Sequence, residues 1–158
     1  LGTSFSFAYE DTYKSPREVV CLLTGIVAKG GNLAINVGPQ PDGRLPKGAV
    51  ESLKGLGAWL KVYGEAIYGT RVCAPYQAGN IAFTKKGETV YALELFEDEN
   101  QTVPEEVLIP YEGPVAKVTL LGSEAAAEFE RRGEGIAVKP PVWEEKAAPI
   151  ARVYRLEK

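Results

Sequence analysis

Lys29-Gly30-Gly31-Asn32-Leu33-Ala34-Ile35-Asn36-Val37-Gly38-Pro39 decides the reading of the first half of this chain. A basic residue followed by glycine is the signature of a helix end, because glycine adopts the left-handed turn that closes the last carbonyls. Asn32 to Val37 is short, apolar and β-compatible, and it reads as a strand buried on both faces, as strands of parallel sheets are. Gly38-Pro39-Gln40-Pro41-Asp42-Gly43 is rich in turn residues and reads as a loop.

The stretch has helical patterns on both sides. Upstream, Ser15-Pro16-Arg17-Glu18 combines a capping serine, a proline at the first helical position and a glutamate that completes a capping box. Val19, Val20, Leu22, Leu23, Ile26 and Val27 follow at three- and four-residue steps, which predicts a helix with a buried face. Downstream, Val50, Leu53, Leu56, Trp59, Leu60 and Tyr63 give a second apolar stripe over about Pro46 to Tyr63, with Gly64 as its stop. Gly55 and Gly57 are poor helix formers there and suggest close packing against a neighbour. Leu1 to Lys14 is loop-like and carries Phe5, Phe7, Tyr9 and Tyr13. One strand cannot make a sheet, and no parallel neighbour is legible upstream, so this half reads as the tail of an α/β domain.

After Thr70 the helical periods give way to short runs. Strands are expected near residues 80–84, 89–96, 103–109, 115–121, 127–131, 136–138 and 150–156. Lys85-Lys86-Gly87-Glu88 and Arg132-Gly133-Glu134-Gly135 are turn signals between them. Regular short strands with such turns favour an antiparallel sandwich.

The 158 residues carry a net charge of -3, which argues against a polyanion-binding surface and so against a nucleic-acid partner. No run approaches the roughly 20 apolar residues of a membrane span. Histidine is absent, which excludes a histidine triad, metal ligand or general base within this chain. Cys21 and Cys73 match no metal spacing and read as small buried hydrophobes, so no metal or cofactor is expected. The chain begins at Leu1 and contains no Met, so it is expected to be processed or a piece of something longer.

Three blocks resemble glycoside hydrolase family 29, the α-L-fucosidases. Leu1-Gly2-Thr3-Ser4-Phe5-Ser6-Phe7 is similar to a family segment written Ser-(Trp/Phe)-Gly-Tyr, from which it departs at Ser6 and Phe7. The second block is Val27 to Pro39 with Pro41-Asp42-Gly43, and the third is Gly57-Ala58-Trp59-Leu60-Lys61-Val62-Tyr63-Gly64-Glu65-Ala66-Ile67-Tyr68-Gly69-Thr70. The resemblance implies that residues 1–69 are the last βα elements of a (β/α)8-like barrel and that residues 70–158 are a C-terminal β-sandwich. It implies release of terminal α-linked L-fucose from glycoconjugates or oligosaccharides with retention, by an Asp nucleophile and a Glu acid/base. Both carboxylates lie upstream of the first block in the family. No catalytic residue carries over, and the chain alone is expected to be inactive. It would need the N-terminal barrel region of the same enzyme, or a complementing chain, as partner.

Two residues are candidate substrate contacts. Phe5 matches the aromatic of the first block, which in relatives lines the pocket for the sugar and its C6 methyl group. An aromatic face shields the apolar surface of a 6-deoxy sugar from water. Asn36 ends the expected last strand, at the rim where barrel sites lie, and could bond a substrate hydroxyl or a loop; fixing the local turn is the simpler role. The other carboxylates read as structural: Asp42 in a turn, Glu10 and Asp11 in the aromatic loop, Glu65 beyond the second helix, and Glu97-Asp98-Glu99 in a solvated loop. Tyr76, Tyr111 and Trp143 read as core, with a sugar-stacking platform as the alternative. That alternative makes the sandwich a carbohydrate-binding module, against the default of a structural support for the barrel.

Overall fold

The computed structural model describes residues 1–142 and 147–158. Helix α1 (Pro16–Ala28) starts as its sequence dictates. Ser15 Oγ accepts from the Glu18 amide, and Glu18 reaches back to the Ser15 amide at 2.7 Å. Such a cap is worth about 1 kcal/mol. Lys29 is the C-cap, and Gly30 follows at φ 82°, a conformation that only glycine adopts freely. Helix α2 (Lys47–Tyr63) buries Ala49, Ser52, Leu56 and Trp59, a three-four-three spacing that makes one face. The helices cross closely because Gly55 has no side chain: a Cβ there would lie 2.5 Å from Pro16 Cβ. Gly57, by contrast, faces open space, so the expected close packing is Gly55's alone.

Nine strands follow among the described residues: β1 (Arg71–Ala78), β2 (Ile81–Lys86), β3 (Thr89–Leu95), β4 (Val107–Ile109), β5 (Lys117–Leu120), β6 (Ala125–Ala126), β7 (Glu128–Arg132), β8 (Gly135–Lys139) and β9 (Ala151–Glu157). They form a six-stranded sheet in the order β1-β2-β3-β9-β5-β6 and a three-stranded sheet β4-β8-β7, with every pairing antiparallel. The hairpins β2-β3 and β7-β8 turn at Gly87 (φ 60°) and Gly133 (φ 61°), the two signals read from the sequence. The expected strand at 103–109 shrinks to Val107–Ile109, since Pro104 lacks the amide a ladder needs. Strand β1 escaped the sequence reading because it contains Pro75. The fold tolerates this by placing β1 at the sheet edge with an irregular register between Val72 and Gln77.

The large sheet is covered on both sides, which gives three layers. Ala82, Tyr91, Leu93, Leu95, Ala151 and Val153 face a core shared with Val19, Val20, Leu56 and Trp59 of the helices. The alternate residues Ile81, Phe83, Val90, Ala92, Tyr154 and Leu156 face Val107, Ile109, Ile136 and Val138 of the small sheet. The second core is the inside of a two-sheet packing. Cys73 lies in it and Cys21 packs beside the first, both as free thiols that burial pushes up from their ordinary pKa.

One expectation fails. Asn32–Val37 is not a strand. Nor is it buried on both faces: Leu33, Ile35 and Val37 are half-buried while Asn32, Ala34 and Asn36 are exposed. A strand exists only through a ladder with a neighbour, and among the described residues this segment has none.

Candidate functional site

The aromatic loop 1–14 is built as a clasp. Gly2 bridges to Tyr13, and the Lys14 amide donates to Leu1 O at 3.2 Å, so the two ends of the loop meet. Inside it, Asp11 Oδ1 accepts from the Thr3 amide at 2.7 Å and from the Thr3 hydroxyl at 2.5 Å. These bonds favour the ionised form and hold the Asp11 carboxyl below its ordinary value, the Thr3 hydroxyl contributing most. Asp11 is therefore a loop fastener. The base of the loop is tied to α2, where Ser52 Oγ donates to Lys14 O at 2.5 Å.

The structure brings the two candidate residues together. Asn36 Nδ2 donates to the Phe5 carbonyl at 2.6 Å, across 31 residues of sequence. Asn36 thus fixes a remote loop and not its own turn. The Phe5 ring is 85% exposed, presented to solvent and not packed into the core. Two residues on, Gly38 lies against the same loop. A Cβ on Gly38 would sit on the Phe7 nitrogen and 2.6 Å from the Ser6 carbonyl carbon. Val37-Gly38 and Ser6-Phe7 can approach this closely only because position 38 is glycine.

Phe7 and Tyr9 were not singled out by the sequence reading. Their rings meet edge to face at 5.0 Å, with Phe7 half-buried and Tyr9 88% exposed. The signal was present: Ser6-Phe7-Ala8-Tyr9 repeats the serine-aromatic-x-tyrosine pattern two residues downstream of Ser4-Phe5 and ends in the expected tyrosine. Phe5, Phe7 and Tyr9 give one short loop three aromatic faces.

Asp42, Glu65 and Asp98 are engaged elsewhere. Asp42 accepts from the Arg44 amide and side chain within the Pro-Asp-Gly turn. Glu65 pairs with Arg155 at 3.3 Å, joining the end of α2 to β9. Glu97, Asp98 and Glu99 are exposed, with Asp98 Oδ1 accepting from the Asn100 amide at 2.8 Å. Glu94, which the reading overlooked inside an apolar strand, is 2% exposed and faces Arg152 across the β3-β9 ladder. Its Oε2 takes Arg152 Nε at 2.8 Å and the Tyr154 hydroxyl at 3.2 Å, while Arg152 also donates to Pro104 O at 2.9 Å. Burial pushes the Glu94 carboxyl up, and the Arg152 guanidinium opposes it. Of the aromatics of the second half, Tyr111 packs on the core between the sheets and Tyr76 is 49% exposed on β1. Trp143 lies outside the described residues.

Residues 1–65 match the family model described as alpha-L-fucosidase. The chain is 34% identical to an alpha-L-fucosidase of Branchiostoma floridae over 87% of its own length, and 31% identical to the human tissue alpha-L-fucosidase over 89%. It spans about a third of the length of these relatives, 32% and 30% respectively. Among solved structures it is similar to the Thermotoga maritima alpha-fucosidase in complex with fucose, with a TM-score of 0.85 and 29% identity, covering 98% of this chain and 37% of that one. The family-model match over residues 1–65 and the similarity in sequence and fold along nearly the whole chain agree: the chain belongs to the α-L-fucosidase family and corresponds to the C-terminal portion of its longer members.

Proposed function

We propose that this chain works as part of a retaining α-L-fucosidase that removes terminal α-linked L-fucose from glycoconjugates or oligosaccharides. Residues 1–69 close a (β/α)8-like catalytic barrel, and residues 70–158 form the sandwich beside it. Asn32–Val37 becomes the last barrel strand once a neighbouring strand supplies its ladder. The observation that carries this reading is the Asn36 bond to the Phe5 carbonyl, with Gly38 seated under Ser6-Phe7. It holds an exposed aromatic loop over the end of the strand-like segment, which is the rim where barrel sites form.

In this reading Phe5 offers its exposed ring to the C6 methyl and C–H face of the sugar, with the Phe7–Tyr9 pair as the alternative face of the same loop. Asn36 keeps its place as a substrate-site residue by holding the loop. The retaining chemistry needs two carboxyl groups roughly 5–5.5 Å apart, one attacking the anomeric carbon and one protonating the leaving oxygen. The upstream region of the longer enzyme supplies them, as a continuous part of the protein or as a complementing chain.

The test is hydrolysis of an aryl α-L-fucoside by this chain alone and then mixed with the upstream region as a second polypeptide. Turnover only in the mixture supports the reading. Turnover by the chain alone refutes the assignment of the carboxylates. Silence of both folded samples refutes the activity. In the active mixture, Phe5→Ala and Phe7→Ala separate the two aromatic candidates, since only the ring that covers the sugar raises KM sharply.

A further inference from the structure

The first turn of α1 holds a charge of the wrong sign. A helix N-terminus repels cations, yet Arg17 is the second residue of α1. Three carbonyls of the sandwich region compensate. Arg17 Nη1 donates to Phe96 O at 2.6 Å and to Pro149 O at 2.7 Å, and Nη2 donates to Ala148 O at 2.9 Å. Charge-assisted bonds of this length are the strong ones. Phe96 and Ala148 are buried, and the acceptors are themselves fixed: the Phe96 amide bonds Ile150 O and the Ala148 amide bonds Glu99 O. The guanidinium is thus locked into the joined ends of β3 and β9, 79 to 132 residues away in sequence.

Arg17 also stands two residues beyond the Ser15 cap and three beyond Lys14, whose amide and carbonyl close the aromatic loop through Leu1 and Ser52. An unbroken set of bonds therefore runs from the sandwich through Arg17 and the capped turn to the clasp that carries Phe5. We propose that Arg17 is a positioning residue through which the sandwich sets the placement of the aromatic loop, making the sandwich a working part of the sugar site. The functional half of this proposal rests on the fucosidase reading above; the mechanical half does not.

The test is hydrogen exchange of the Thr3, Ser4 and Lys14 amides in the whole chain. It compares wild type with Arg17→Met, which keeps the apolar stem but loses the donors. Arg155→Met, which cuts the Glu65 tie at the far end of α2, is the control. Exchange at the loop amides is expected to accelerate by roughly tenfold or more in Arg17→Met, from the loss of charged bonds, and to stay unchanged in Arg155→Met. Acceleration confined to residues 96–99 and 147–150 would overturn the proposal, as would equal acceleration in both variants. If Arg17→Met does not fold, Arg17→Lys, which keeps the charge and part of the bonding, is read in the same way. Where fucosidase activity is present, Arg17→Met is expected to raise KM for the fucoside more than it lowers kcat. Because exchange is measured without substrate, loss of the fucosidase reading leaves the mechanical result standing.

Discussion

Replacing Arg152 by methionine removes the guanidinium from Glu94, a carboxylate that is 2% exposed. Arg152 is itself only 4% exposed, so solvent screening does not discount the pair. The variant leaves Glu94 with the Tyr154 hydroxyl, and leaves the Pro104 carbonyl without its donor. Breaking a buried pair from one side costs about 3–5 kcal/mol, because the remaining charge stays desolvated. For a chain of this size each kcal/mol moves the melting temperature by about 2–4 °C, which gives a fall of roughly 6–20 °C. The carboxyl can escape by binding a proton, and this sets the pH dependence. Burial already raises Glu94 above its ordinary value of 4.5, and loss of Arg152 removes the largest opposing influence. A raised carboxyl holds its proton more tightly when folded, so its contribution is fully present below 4.5 and is lost as pH rises through the folded value. The deficit of Arg152→Met should therefore be smaller at pH 5 than at pH 8. The assay is thermal unfolding followed by circular dichroism at both values, with the double variant Glu94→Leu/Arg152→Met beside it. The double variant should recover most of the loss, since apolar residues of similar volume replace such pairs at little cost. A single-variant loss under about 1 kcal/mol, or a double variant no better than the single, would show that the pair is not the buried, unscreened contact described.

Gly55→Ala places a methyl group 2.5 Å from Pro16 Cβ and should cost about 1–3 kcal/mol by overpacking, measured by urea unfolding. Gly57→Ala meets open space and should be neutral or slightly stabilising in the same experiment. Gly38→Ala forces the Ser6-Phe7 backbone back by about 1 Å, a displacement that costs on the order of 100-fold where geometry governs a reaction. It should lower kcat/KM of the reconstituted enzyme by on the order of 100-fold, and unchanged kcat/KM would refute the loop's role. The Asp11 clasp has the opposite pH sense to Glu94: its lowered carboxyl stabilises the loop above 3.8 and that contribution is lost as pH falls through the folded value. The Thr3 amide resonance should follow that titration, and a midpoint at or above 3.8 would contradict it.

Much of the fold was legible because its causes are local. The Ser15 to Glu18 capping box, the Gly30 exit and the hairpins at Gly87 and Gly133 each need only a few neighbouring residues to form, and each stands where the sequence put it. The apolar stripe of α2 likewise follows from period alone. Of the candidate site, the sequence offers the residues but not their contact. Phe5 and Asn36 were singled out separately, but no pattern in the chain says that Asn36 bonds the Phe5 carbonyl 31 residues away.

Propensity and spacing by themselves determined which segments are helical, where the chain turns, and that strands dominate after Thr70. Tertiary structure alone decided that the large sheet is covered on both faces, that Pro75 is tolerated at its edge, and that Asn32–Val37 is no strand without a partner. It alone joined Glu94 to Arg152 and Arg17 to Phe96 and Pro149. The division has one physical reason: a cap or a turn is stabilised by groups within its own few residues, whereas a ladder, a buried charge pair or a loop latch exists only when distant segments arrive together.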